Sequence, residues 1–178
     1  MRICVTGHTS GIGRALAEAL ASRGNDVVGL SRSTGYDLAK PADVDRMVLA
    51  SIGCRGFINN AHHGYSQVEL LFALHRAHGN DPGFTVVTIG SNAADGIRMR
   101  PQPYAVEKIA LDHAVAQLQK SGRWNLIHVR PGWVDTPRVG EFSVRKLMVD
   151  DVVEAVMWAM DRPDHVMVRG ITIEPREA

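Results

Sequence analysis

A tyrosine and a lysine four residues apart, Tyr104 and Lys108 in Tyr-Ala-Val-Glu-Lys, are the side chains of this sequence best suited to moving a proton. Residues at that spacing share one face of a helix, so a phenol and an ammonium fall in one small volume. Unit charges about 4 Å apart at an effective dielectric of about 20 interact by about 4 kcal/mol, the scale a phenol needs to work as acid and base near neutrality. Ser91 stands 13 residues before Tyr104, just past an almost continuously apolar run from Phe84 to Ile89. Such a run reads as a parallel strand covered on both faces. The carboxyl end of a strand and the first turn of the next helix open on one crevice, so a hydroxymethyl group joins the phenol and the ammonium. A Tyr and a Lys at this separation also arise by chance, and the rest of the chain decides between the two.

The ligand of that crevice is read from the beginning of the chain, Arg2 to Arg14, which runs Arg-Ile-Cys-Val-Thr-Gly-His-Thr-Ser-Gly-Ile-Gly-Arg. A short β-rich run, Ile3 to Thr6, stops at Gly7. Gly11 and Gly13 then open an amphipathic run from Ile12 to Arg23, with Leu16, Ala19 and Leu20 at helical spacing. Strand, tight turn and helix in this order form a phosphate cradle. Gly7 allows the turn, Gly11 lets the backbone approach a pyrophosphate, Gly13 brings helix close to strand, and unpaired N–H groups at the helix start meet the phosphate charge. A dinucleotide is the ligand this implies, although glycines also serve ordinary turns.

Glycines at 7, 11 and 13 depart from the common Gly-x-Gly-x-x-Gly and resemble the Thr-Gly-x-x-x-Gly-x-Gly of the short-chain dehydrogenase/reductase family. Ser91, Tyr104 and Lys108 keep that family's catalytic order and spacing. Asn59-Asn60-Ala61 is similar to its Asn-Asn-Ala-Gly, with His62 in place of the glycine, and Pro131-Gly132-Trp133-Val134-Asp135-Thr136 is similar to its Pro-Gly-x-Val-x-Thr. The resemblance implies cofactor contacts from Thr6, Gly7, Ser10, Gly11, Ile12 and Gly13. It implies further contacts from Asp37 and Leu38 at the adenine, from Asn60 and Ala61 near the ribose, and from Pro131, Gly132, Val134 and Thr136 at the nicotinamide carboxamide. In the implied reaction Tyr104 donates a proton to a carbonyl oxygen as the cofactor delivers hydride to carbon. Ser91 holds that oxygen, and Lys108 also binds the nicotinamide ribose. Aligning Phe72 with a family phenylalanine puts Gln67 where the family has a catalytic asparagine, there to hold a water that returns the proton; the other reading of Gln67 is an exposed residue at a helix start.

The elements between these motifs alternate. Asp26 to Leu30 is a second strand with Ser31 and Arg32 at its carboxyl end, beside the adenosine ribose. An acidic residue there suits NAD, an arginine suits the extra phosphate of NADP; Arg32, with no Asp or Glu from Val27 to Tyr36, favours NADP(H) over NAD(H). Helices are expected over Pro41 to Ile52, Gln67 to His78, within Pro101 to Ser121, and from Asp150 as N-cap to Met160. Strands are expected at Arg55 to Asn59, Asn125 to Val129 and His165 to Ile173. The distance from Asn60 to the next strand is short for the family. The whole reads as one doubly wound, Rossmann-like α/β domain, residues 1–178, with about seven mostly parallel strands.

At 178 residues the chain buries a core without staples. Its 45% hydrophobic and 22% charged residues and formal net charge of +1 give no broad footprint for nucleic acid or an anionic membrane. No apolar run is long enough to span a bilayer and no signal-like segment opens the chain, so a cytoplasmic protein is expected. Cys4 and Cys54, both placed in strands, read as buried free thiols. His62, His63, His75 and His78 show no recognisable metal spacing and read as surface or helix-face residues, with no metal expected. The stretch 137–149 is a short substrate loop, in which Phe142, Leu147 and Met148 line the site or simply pack; Trp133 is a further candidate. A small carbonyl or alcohol is the expected substrate, and family members pair through the helix within Pro101 to Ser121, which implies a homodimer or homotetramer. Two readings stay open: an NADP-dependent oxidoreductase, and a protein that binds or senses NADP(H) without chemistry.

Overall fold

Apolar runs of four to seven residues, separated by amphipathic ones, fold in the computed structural model as parallel strands covered by helices on both faces. The structure describes residues 1–96, 101–137, 139 and 143–176. In chain order the elements are β1 (Arg2–Thr6), α1 (Gly11–Ser22), β2 (Asp26–Leu30), α2 (Pro41–Ala50), β3 (Gly56–Asn59), α3 (Ser66–His78), β4 (Thr85–Ile89), α4 (Pro103–Ser121), β5 (Asn125–Pro131), α5 (Val149–Met160) and β6 (Gly170–Ile173). The sheet order is β2-β1-β3-β4-β5-β6, with every neighbouring pair parallel. The chain runs outward from β1 to β2, then crosses to β3 on the other side of β1. Between β1 and β3 lies the switch point, where a crevice opens at the carboxyl ends of the strands.

One core packs α2, α3 and α4 on the sheet through Met47, Leu71, Phe57, Phe84, Leu111 and Trp124. The other packs α1 and α5 through Leu16, Leu20, Ile58, Ile127, Val129 and Val156. At α1, Gly7 and Gly11 take φ of +69° and +51°, a conformation that glycine adopts without strain. Gly13 meets a different demand: a Cβ there would lie 2.2 Å from the Gly7 carbonyl oxygen and 2.5 Å from Asn60 Nδ2. The helix approaches this closely only because position 13 has no side chain.

Several expectations are corrected. Among the described residues the sheet has six strands rather than about seven, because β2 leads through a single 3-10 turn, Arg32–Thr34, and the Asp37 turn straight into α2. A parallel strand needs a crossover of about a dozen residues or more. The stretch between β2 and Pro41 is too short for one, so Asp37-Leu38 follows β2 itself, and β2 is the sheet edge. The α5 N-cap is Met148, not Asp150; its backbone N–H donates to the Asp151 carboxylate at 2.7 Å, so the carboxylate three residues on does the capping. The last strand starts at Gly170 rather than His165, since a turn closed from Val166 N–H to the Pro163 carbonyl occupies the residues before it. Cys54 lies just before β3 rather than in a strand, buried beside Cys4 at an Sγ–Sγ distance of 3.6 Å. Burial pushes the Cys4 thiol far up, so it stays protonated and packs as a small apolar group.

Gly13→Ala tests the close approach of α1. Its methyl meets backbone on one side, so we expect the free energy of unfolding in urea to fall by about 1–3 kcal/mol.

Candidate active site

The site is built around a buried ammonium. Lys108, on the inward face of α4, is 3% exposed and donates from Nζ to Gln67 Oε1 at 2.7 Å and to the Ile89 carbonyl at 3.1 Å. Gln67, in the first turn of α3 and 1% exposed, donates from Nε2 to the carbonyls of Asn59 at 2.8 Å and Ile89 at 3.0 Å. Asn59 Nδ2 donates in return to the Gln67 carbonyl at 3.0 Å. Both amide hydrogens of Gln67 are thus committed to the ends of β3 and β4, which leaves its oxygen only one way to point, at Lys108. Gln67 is therefore no exposed helix-start residue. It touches Lys108 itself, so the contact needs no intervening water.

Tyr104, one turn before Lys108, is 37% exposed, and its ring centroid lies 5.5 Å from Lys108 Nζ. The His62 ring stands edge-on to it at 4.9 Å, and His62 Nε2 is 2.8 Å from Glu107 Oε2. His62 and His78 depart from the surface expectation. The His62 side chain is 9% exposed, and His78 is buried against Phe84 with Nε2 2.7 Å from Ser51 Oγ. Burial holds the His78 imidazole below its ordinary range, which keeps it neutral.

Ser91 is the N-cap of a 3-10 turn, Asn92–Asp95; its buried Oγ accepts from the Ala93 N–H at 3.1 Å, which leaves the hydroxyl hydrogen to donate. That turn is tied to the sheet and to α4 by one ionic network. Arg130 on β5 pairs with Asp95 and, at 3.1 Å, with Asp112, whose other oxygen is 2.8 Å from His128 Nε2. Tyr104, Lys108 and Asp112 lie four apart on α4, so one stripe of the helix carries the phenol, the ammonium and the anchor for the turn that holds Ser91. Gly90 makes room for this, since a Cβ there would sit 2.6 Å from the His128 ring.

Ser91, Tyr104 and Lys108 line a single groove of about 970 Å³ that continues past His62, Asn60 and Ala61 to the glycine turn and on to Ser31, Arg32, Asp37 and Leu38. Gly7, Ser10, Gly11, Ile12 and Gly13 form its floor, and Pro131, Gly132, Val134 and Thr136 its far wall. The Thr136 methyl lies 3.5 Å from where a Cβ at Gly11 would be, so the segment after β5 arches back over α1. The groove does not include Thr6 or Gln67. Thr6 is fully buried, and its hydroxyl accepts from the N–H groups of Asn60 (2.9 Å) and Ala61 (3.0 Å), bracing the turn from beneath. Asp37 Oδ1 caps its own turn through the Ala39 N–H, while its backbone N–H donates to Asp43. That N–H, with Arg46, holds the Asp43 carboxyl below the usual carboxylate range.

Sequence reasoning missed Ser33, Tyr36 and Met47 at the adenine end and Asn92 and Gln102 at the catalytic end of the groove. Ser33 was within reach, since the Ser-Arg-Ser run lies at a strand's carboxyl end. Of the substrate-loop candidates, Leu147 is buried against Val134, Met148 is exposed and Trp133 lines the groove; Phe142 lies outside the described residues. Hydrogen bonds from Asp135 N–H to the Leu147 carbonyl and from Leu147 N–H to the Trp133 carbonyl pin the two ends of the loop together. Among the described residues no cluster suited to a metal ion is found, and no helix is long and apolar enough to cross a membrane.

Comparison with known proteins agrees with this architecture. The model of the NAD dependent epimerase/dehydratase family matches residues 3–81. An uncharacterized oxidoreductase of Staphylococcus epidermidis is 27% identical over 221 positions, covering 96% of this chain and 95% of that protein. With 221 aligned positions against 178 residues, at least 43 positions of that relative have no counterpart here. The alcohol dehydrogenase of the archaeon Thermococcus sibiricus, solved with 5-hydroxy-NADP, superposes with a TM-score of 0.79 at 18% identity, over 97% of this chain and 95% of that one. A short-chain type dehydrogenase/reductase from Mycobacterium marinum gives 0.78 at 18% identity, over 98% and 93%.

Gln67→Leu leaves the buried Lys108 ammonium short of one acceptor and the β3 and β4 carbonyls short of their donors. Unfolding titrations should show a loss of about 2 kcal/mol or more; an unchanged midpoint would mean that the amide does not hold the ammonium.

Proposed function

We propose that this chain, which has the short-chain dehydrogenase/reductase fold and belongs with those NAD(P)-dependent oxidoreductases, interconverts a small alcohol and its ketone or aldehyde with NADP(H). The observation that carries the reading is the Lys108 ammonium, fixed by Gln67 beneath the Tyr104 ring in the groove that also holds Ser91 and the glycine turn. The residues fit the cofactor. The close approach at Gly13 and the positive φ of Gly7 and Gly11 leave the start of α1 bare for a pyrophosphate. Arg32, with Ser31 and Ser33, offers a cation and two hydroxyls for a 2′-phosphate, and the wall from Pro131 to Thr136 would face the nicotinamide end. Bound there, NADPH supplies the hydride.

The chain's own groups do the rest. Ser91 donates its hydroxyl hydrogen to the carbonyl oxygen and fixes its position, because the Ala93 N–H already holds Oγ. Tyr104 gives its phenolic proton to the same oxygen, and the Lys108 charge favours the phenolate left behind. Lys108 is itself 3% exposed, and Gln67 Oε1 and the Ile89 carbonyl stand in for the solvent its ammonium loses. In the oxidative direction the same groups remove the proton from an alcohol.

A second reading, cofactor binding without chemistry, rests on His62, whose ring narrows the groove beside Tyr104. Single-turnover oxidation of NADPH against a panel of small aldehydes and ketones separates the two. Wild-type protein should turn over, and Tyr104→Phe should be slower by about a hundredfold or more while still binding NADPH. Tight binding with no turnover of any carbonyl would favour the second reading. For cofactor choice, calorimetric titration of Arg32→Ala should show NADPH weakened about tenfold or more and NADH unchanged; equal affinities in the wild type would overturn the NADP assignment.

A further inference from the structure

Tyr104 sits at a weak place. It is the second residue of α4, whose N-cap Gln102 makes no side-chain cap hydrogen bond, and it is over a third exposed. First turns of helices fray unless something fixes them. A general acid must be held to well within an ångström, since misplacement by about 1 Å can cost about a hundredfold in rate. Lys108, one turn further along α4, neighbours the ring on one side.

A second neighbour is His62. It stands in the loop after β3, whose course is set by Asn60 and Ala61 bonding to Thr6. From there its imidazole reaches α4 at two points almost a turn apart: edge-on to the Tyr104 ring at 4.9 Å, and through Nε2 to Glu107 Oε2 at 2.8 Å. Glu107 is three residues after Tyr104, so both lie on the face of α4 turned to this loop. The side chains of His62 and Glu107 are 9% and 17% exposed, well shielded for two polar groups beside an open groove. An apolar ring could pack on the phenol equally well; an imidazole also brings its Nε2 within ion-pair distance of the Glu107 carboxylate.

Resting on the functional reading above, we infer that His62 and Glu107 form one clamp that positions the Tyr104 phenol, with His62 as the positioning residue and Glu107 as its anchor. Among the described residues the groups facing His62 include Tyr104 and Glu107, with Lys108 behind the phenol. The clamp fixes the first turn of α4 against the loop after β3, the work a side-chain N-cap would otherwise share.

The clamp is tested with and without turnover. Protein labelled with fluorotyrosine carries three reporter rings, Tyr36, Tyr65 and Tyr104, and Tyr104→Phe identifies the third fluorine resonance. Glu107→Ala leaves the imidazole in place, so a shift or broadening confined to the Tyr104 signal is expected, with recovery in Glu107→Gln. For reduction of diacetyl by NADPH, His62→Ala and Glu107→Ala should each lower kcat at least about tenfold with the Kd for NADPH little changed. As members of one device, they should cost no more together than singly. An unmoved Tyr104 resonance in Glu107→Ala, or losses that multiply in the double variant, would overturn the clamp. Wild-type protein that reduces no carbonyl would instead refute the functional reading, and the resonance test would still decide the clamp.

Discussion

Placing one ammonium out of water, at the junction of three elements, is the constraint on which the site depends. An unpaired buried charge is expensive, and it is tolerated only when neighbouring dipoles replace the lost solvent. Here the replacement comes from the carboxyl end of β4 and from an amide side chain that ties that end to the end of β3. Gln67 couples the sheet to the chemistry: the geometry of β3 and β4 fixes its Nε2, its Nε2 fixes its Oε1, and its Oε1 fixes Lys108. The phenol one turn away inherits that order. A longer side chain than asparagine suits this role, because it spans from the start of α3 to two carbonyls and an ammonium at once.

Much of this was legible in the residues. The glycine spacing pointed to the turn and the bare helix end, and the apolar runs pointed to a parallel sheet with helices on both faces. The spacing of Ser91, Tyr104 and Lys108 placed them in one crevice, where the structure puts them. Legibility failed where a residue's role depended on what lies across space. Gln67 reads as a polar residue at the start of a helix; only the fold shows that its amide is buried between strand ends. Thr6 sits inside the glycine motif and yet points beneath the turn to hold Asn60 and Ala61. The missing strand was hidden for another reason: family resemblance supplies an expected count, while the few residues between β2 and α2 set the real one.

Side-chain ties hold the irregular segments of this short chain. At least 43 positions of a relative aligned over 95% of its length have no counterpart here, so this sheet and its covering helices have less structure around them. The β2 edge leads directly into the adenine-side turn, and that turn is braced by Asp43 accepting from Asp37, with Arg46 reaching the Gly35 carbonyl and the Tyr36 ring. On the catalytic side, Asp112 gathers Arg130 and His128, and Arg130 reaches on to Asp95. Apart from the two Asp112 contacts, which join α4 to β5, each tie holds an irregular segment to a helix or strand, where a small domain has the least packing to spare.

These ties also explain how so many charges surround a working groove on a chain of nearly zero net charge. Several acidic side chains near the groove stand beside a basic one: Asp112 beside Arg130 and His128, Glu107 beside His62, and Asp43 beside Arg46. Lys108, by contrast, donates to two neutral oxygens, the Gln67 amide and the Ile89 carbonyl. A carboxylate in the place of Gln67 Oε1 would satisfy the ammonium more strongly but would cancel its field at the phenol. A neutral acceptor at that position solvates the ammonium without cancelling its charge, which leaves its field to reach the Tyr104 ring, whose centroid is 5.5 Å away.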